Sequence, residues 1–74
     1  MTLFDGKIGK SYRVTGIKSG EETRRRLLDL GFVNGTQVQI RNIAPFKAAI
    51  LVSLRGYLLA IRRQTGECIN IEEN

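Results

Sequence analysis

Three consecutive arginines, Arg24, Arg25 and Arg26, are the side chains of this sequence with the most evident capacity to bind something. A run of guanidinium groups can fork onto phosphate or carboxylate oxygens. The chain as a whole has 12 Lys and Arg against 7 Asp and Glu, a formal net charge of +5 in 74 residues. A second basic set, Arg55, Arg62 and Arg63, is interleaved with Tyr57. Nucleic acid and an acidic protein surface both suit such residues. Single-strand binders add stacking aromatics to a charged groove, and here there are only 3 Phe and 2 Tyr. With Tyr12 and Phe32 read as core, Phe46, Tyr57 and Phe4 are a thin platform for bases. A small basic RNA-binding barrel is therefore the second reading, behind a protein partner.

Residues that carry catalysis are sparse. There is no histidine and one cysteine, so neither a Ser/His or Cys/His nucleophile pair nor a Cys/His zinc set can be assembled. Asp5, Glu21, Glu22, Asp29, Glu67, Glu72 and Glu73 show no dense ligand spacing. GKIGKS, Gly6 to Ser11, echoes a phosphate-binding loop, but its glycine spacing is wrong and no helix pattern follows. Cys68 cannot pair within the chain and reads as a small apolar filler, which fits a reducing compartment. The expectation is a protein with no catalytic residues, no cofactor and no metal ligands. No stretch approaches the ~18 apolar residues of a membrane span, and MTLFDGKIGK lacks the apolar block of a secretory signal. A cytoplasmic protein without membrane insertion is expected.

The elements that position these side chains can be read from periodicity and punctuation. Lys7 to Lys10 reads as a turn. Ser11 to Ile17 reads as a strand with Tyr12 and Val14 inward, Arg13 and Thr15 outward, and a bend or bulge at Gly16. Ser19 and Glu22 have capping-box spacing. A helix follows from about Gly20 to Leu30, burying Leu27 and Leu30 with Thr23 and Leu28 beside them. Gly31 suits the left-handed residue past a helix end, with Phe32 folding back onto Leu27. On that helix Glu21 precedes Arg25 by four residues and Glu22 precedes Arg26 likewise. Each such pair is worth about 0.2–0.5 kcal/mol, and the triplet is read as a solvated, self-paired face. Asn34-Gly35 launches a strand from Thr36 to Ile43, with Val38 and Ile40 inward, ended by Ala44-Pro45.

Ala48 to Arg55 and Tyr57 to Arg62 read as a hairpin around Gly56. A turn at Gly56-Tyr57 sets Leu54 opposite Leu59 and Val52 opposite Ile61. One face carries Ile50, Val52, Leu54, Leu59 and Ile61. The other carries Leu51, Leu58, Arg55 and Arg62, with Phe46 at its near end. That outer face is a candidate docking patch unless Leu3 and Phe4 cover it. Gln64 to Glu67 makes a turn or a single helical turn, and Cys68 to Glu72 closes with Ile69 and Ile71 inward. The fold expected is mainly β: a single domain, a small five-stranded SH3-like barrel with one short helix after the first strand.

LLDLGFVNGTQVQI, then IAPF, RGYLLAIRR and INIEE, resemble in order and spacing the FeoA family of bacterial ferrous-iron transport accessory proteins. The resemblance runs from about Lys7 to Glu72. It implies an SH3-like barrel with an inserted helix. It also implies a small cytosolic protein working with FeoB, a membrane iron permease with a cytoplasmic GTPase domain, and so a peripheral place at the inner membrane. It carries over no catalytic residues. Transition-metal binding is often associated with such domains, and these residues give that association little physical support. Similar domains close iron-dependent repressors of the DtxR type, whose DNA-binding portion has no counterpart in this sequence. Three positions depart from the family pattern. Lys47-Ala48-Ala49 stands where Gly-Asp-Pro is common, and Asn34-Gly35 where Pro-Gly is common. Leu51 and Leu58 stand where many members are polar, so a patch for docking or self-association would be particular to this branch. The partner-binding candidates are thus Phe46, Leu51, Arg55, Leu58 and Arg62 on the hairpin side, and Arg24, Arg25 and Arg26 on the helix.

Overall fold

Alternating apolar residues and a single helix stop decide most of the architecture. The computed structural model describes all residues, 1–74. Its strands are β1 (Ser11–Ile17), β2 (Gln37–Ile43), β3 (Ala49–Leu54), β4 (Tyr57–Arg62) and β5 (Ile69–Glu73). Helix α1 (Glu21–Leu30) joins β1 to β2, and one helical turn, α2 (Arg63–Gly66), joins β4 to β5. The strands form one antiparallel sheet in the order β4-β3-β2-β1-β5.

Every strand sends its alternate residues to the same core: Tyr12 and Val14, Val38 and Ile40, Ile50, Val52 and Leu54, Ile61, Ile69 and Ile71. Leu3, Phe4, Leu27 and Phe32 complete that cluster of 14 buried residues. Because one face of all five strands shares a single core, the sheet curls over it, as an SH3-like barrel does. Two bulges produce the bending: the β1–β5 register shifts between Val14 and Gly16, and the β2–β3 register shifts between Ile40 and Asn42.

The helix ends as its sequence requires. Gly31 has φ 113°, where a Cβ would be strained; its N–H donates to Leu28 O at 3.0 Å, and the N–H of Phe32 donates to Leu27 O at 3.0 Å. These two bonds, closed by the buried Leu27 and Phe32, are a Schellman ending. The start differs from expectation. Gly20, not Ser19, is the cap residue, and the Ser19 hydroxyl donates to Gly20 O at 3.2 Å instead of accepting from the helix. Leu27 is the helix's one fully buried side chain, and Leu30, only half-buried, packs against the core beside it.

The hairpin register also differs. Leu54 faces Tyr57, Val52 faces Leu59 and Ile50 faces Ile61. The connection is the two-residue turn Arg55-Gly56, with φ 49° and 83°, the left-handed pair of a type I′ turn whose twist matches that of the flanking strands. A shift of two residues keeps the side chains that remain on the strands on their expected faces, while Arg55 passes from the strand into the turn.

The N-terminal segment is a feature that periodicity does not show. Leu3–Asp5 is a 3₁₀ turn, and the Asp5 carboxylate accepts from the Thr2 N–H at 2.8 Å. Thr2 bridges to Asn70 on the free side of β5, so this edge of the sheet is partly closed. Leu3 and Phe4 enter the core and do not cover the hairpin's outer face. A Cβ on Gly66 would collide with the Phe4 ring. Gly66→Ala is therefore expected to lower stability by about 1–3 kcal/mol through overpacking. Urea unfolding would show this as an earlier midpoint with an unchanged slope.

Candidate partner-binding surface

The outer face of the hairpin is built by the alternation that fills the core. With Ile50, Val52 and Leu54 inward, Leu51 and Ser53 of β3 must point out, and on β4 Leu58 and Ala60 do the same. Leu51 lies opposite Ala60 and Ser53 opposite Leu58. Leu58 is 56% exposed and Leu51 half-buried. Asn42, Ala44, Ala49, Leu51 and Ala60 line a shallow depression of about 120 Å³ on this face. The face is apolar in substance and open to solvent.

β4 is an outermost strand of the sheet. In a two-residue hairpin the residues flanking the turn exchange hydrogen bonds, so Tyr57, Leu59 and Ile61 bond towards β3. Leu58 and Ala60 therefore turn their backbone groups to the free edge. A groove of about 230 Å³ runs beside this edge, floored by Leu27, Leu30, Leu59 and Ile61 and bordered by Arg26 and Arg62. Two arginines 36 residues apart in the sequence thus border one groove.

The arginine triplet does not act as a unit. Successive helical residues are about 100° apart, and the three side chains go to different surroundings. Arg24 borders a hollow with Thr15, Ile17, Leu28 and Asn34. Arg25 lies on the wet side with Glu21, Glu22 and Asp29. Arg26 reaches the β4 groove and pairs with Glu22 at 3.6 Å. Glu21 and Arg25 form no ion pair within the 4.0 Å limit that the Glu22–Arg26 pair meets.

Arg55 is misplaced by the sequence reading. Standing in the turn and not on the strand, it leaves the outer face and lies over the end of α1, where a Cβ on Gly31 would approach its Cδ to 3.1 Å. Beside it the Tyr57 hydroxyl donates to Leu30 O, one of the carbonyls a helix end leaves without an internal partner. Arg55 and Tyr57 thus fasten the hairpin tip to the helix, while Arg62 and Arg63 sit at the other end of β4, near the β2–β3 loop. The basic cluster suggested by sequence is divided between the two ends of the strand. Tyr57→Phe is expected to lower stability by about 0.5–1.5 kcal/mol and to raise amide exchange in the last turn of α1, which hydrogen-exchange NMR would read.

Phe46, at the near end of the same face, is 96% exposed. Charge is distributed as unevenly as hydrophobicity. From Leu30 to Gly66 the chain holds Arg41, Lys47, Arg55, Arg62 and Arg63 and no carboxylate. The other 7 Lys and Arg are matched by all 7 Asp and Glu, so the whole net charge of +5 belongs to the β2–β3–β4 side. No three Asp, Glu or Cys side chains come together in an arrangement able to hold a metal ion. Cys68 is half-buried, its thiol donating to Gln64 O at 3.3 Å.

A small SH3-like barrel with an inserted helix and an open, cationic hairpin face is the class of protein these features define. The FeoA domain family model matches residues 1–73. Among solved structures, the FeoA protein of Chlorobium tepidum superposes with a TM-score of 0.88 at 36% identity, covering 99% of this chain and 70% of that one. The FeoA-like protein of Clostridium acetobutylicum gives 0.86 at 33%, covering 99% and 85%. The zinc complex of Stenotrophomonas maltophilia FeoA gives 0.84 at 25%, covering 97% and 89%; that protein is described as a prokaryotic SH3 domain protein. No match was found among curated proteins. This chain belongs to the FeoA family, SH3-like proteins associated with ferrous iron transport.

Proposed function

We propose that this protein is an accessory of ferrous iron uptake that acts by docking, through the β3–β4 hairpin, on the cytoplasmic GTPase region of the permease FeoB. The observation that carries this reading is the open edge strand β4. It presents Leu58 and Ala60 beside Leu51 on one side and the Arg26–Arg62 groove on the other, within the half of the molecule that holds all the net charge. Apolar contact at the centre with guanidinium groups at the rim is the usual anatomy of a protein interface. Family membership supplies the transport context, and no helix is long and apolar enough to cross a membrane. The protein would then reach the inner membrane through its partner, from the cytoplasm, and would act on FeoB without chemistry of its own.

Self-association through the same edge is the competing use of this surface. A nucleic-acid role is less well served. Phe46 is the only aromatic whose ring is nearly free, and a single ring does not make a stacking row.

An amide NMR titration with the soluble GTPase domain of the cognate FeoB tests the proposal. Shifts confined to Leu51, Leu58 and Arg62, extending to Arg26, are expected. Absence of shifts in the nucleotide-free, GDP and GTP-analogue states would remove the GTPase region as the docking site.

A further inference from the structure

Phe46 stands apart from every other large apolar side chain. It is 96% exposed, against 39–58% for Met1, Ile8, Tyr57 and Leu58. The turn that holds it is closed at both ends: Lys47 N–H donates to Ala44 O at 3.0 Å, Ala48 N–H to Pro45 O at 3.2 Å, and Ala44 N–H to Ala49 O at 2.9 Å. Phe46 and Lys47 both lie in the left-handed region, with φ 60° and 55°. Non-glycine residues adopt that region at a cost, so the surrounding bonds must hold it in place. The result is a ring projected outward, with no side chain folded over it. Its neighbours Pro45 and Ala48 are exposed and apolar as well.

Cationic residues stand in and beside this tip. Lys47 is in the turn itself. Arg62 lies opposite Ala49 across the β3–β4 ladder, and the N–H of Arg63 donates to Ala48 O at 3.1 Å, which ties α2 to the loop. Arg41 is on β2, two residues before the strand reaches Ile43. Glu67, the first carboxylate after the tip in the chain, is engaged by Arg63 at 3.5 Å. A projecting apolar ring with cations of long aliphatic stem in and beside its loop is complementary to an anionic bilayer surface. The ring can pass below the headgroups while the stems lie along the interface and their charged ends meet phosphate. A protein partner would need a pocket shaped for one isolated ring; a fluid interface needs none.

We infer that the Phe46 loop is a lipid-contact tip that seats this protein directly on anionic phospholipid. The contact is independent of the FeoB reading and would hold the hairpin face near a membrane partner without using Leu51 or Leu58.

The chain contains no tryptophan, so Phe46→Trp places a single indole at the tip without disturbing a buried side chain. With phosphatidylglycerol–phosphatidylcholine vesicles at low salt, its emission is expected to shift to the blue. Lipids brominated near the headgroup end of the acyl chains should quench it, and both effects should fade as salt screens the cations. In co-sedimentation with the same vesicles, Phe46→Ser is expected to bind at least about tenfold more weakly than wild type. Lys47→Glu/Arg62→Glu should abolish binding, with circular dichroism unchanged in both variants. The inference is overturned if no blue shift occurs with anionic vesicles at low ionic strength, or if Phe46→Ser binds them as well as wild type. It is equally overturned if the shift follows protein concentration without lipid, which would assign the tip to a second copy of this chain. A shift induced by the FeoB GTPase domain and not by vesicles would assign it to the protein partner.

Discussion

Replacing Phe32 by alanine is expected to lower the stability of this domain by about 3–5 kcal/mol, the range for removing a fully buried phenylalanine. Phe32 is 0% exposed and is among the largest wholly buried side chains. A chain of this size has about 4–11 kcal/mol of stability in all, so much of the native population would be lost at ordinary temperature. The loss exceeds that of an average core residue because Phe32 has two functions. It fills the core, and its ring is the apolar clasp that closes the Schellman ending against Leu27. The cavity therefore opens where α1 is fastened. Chemical unfolding by circular dichroism would measure the change. A loss below about 1 kcal/mol would mean that the site collapses without cost and that the helix is held elsewhere. With α1 released, the Arg26 side of the groove would also lose its position relative to Arg62.

The second large effect concerns binding and should leave the fold intact. Leu51→Asp/Leu58→Asp is expected to weaken association with the FeoB GTPase domain by about 100-fold or more, since central apolar contacts of an interface commonly account for 2 kcal/mol or more. Neither side chain belongs to the buried core cluster, so the thermal midpoint should move little. Isothermal titration calorimetry on the double variant and on each single one separates the contributions. Leu58, more exposed than Leu51, should carry the larger share. Full retention of affinity in the double variant would move the docking site away from the hairpin's outer face. Arg25→Ala provides the contrast: with no ion pair and a wholly polar setting, it should change affinity little.

Much of the fold could be read from local patterns, because each depends on few residues. Gly31 followed by Phe32 foretold the helix ending, since a left-handed residue and an apolar clasp are required together. Gly16 foretold a bulge, and the register does shift beside it. The helix start was misread because Ser19 and Glu22 have the spacing of a capping box, yet the backbone enters the helix one residue later, at Gly20. The 3₁₀ turn at Leu3–Asp5 went unseen because three residues give no period; the Thr2-x-x-Asp5 spacing was its one signal. Of the candidate docking residues, Leu51, Leu58, Arg62 and Phe46 lie on or at the end of one open face. Arg55 does not, because the turn claims it.

The facing of the strand residues was thus determined by the sequence alone: strand alternation has a period of two, so even a hairpin register wrong by two residues leaves the side chains that stay on the strands on their proper side. Tertiary structure decided the rest. The left-handed pair Arg55-Gly56 and the bond from Tyr57 to the end of α1 chose the register and carried Arg55 onto Gly31. Helical rotation gave Arg24, Arg25 and Arg26 different directions, but only the packing of α1 beside β4 brought Arg26 to Arg62. Distances between residues far apart in the chain follow from which surfaces close the core together, and no local pattern contains that information.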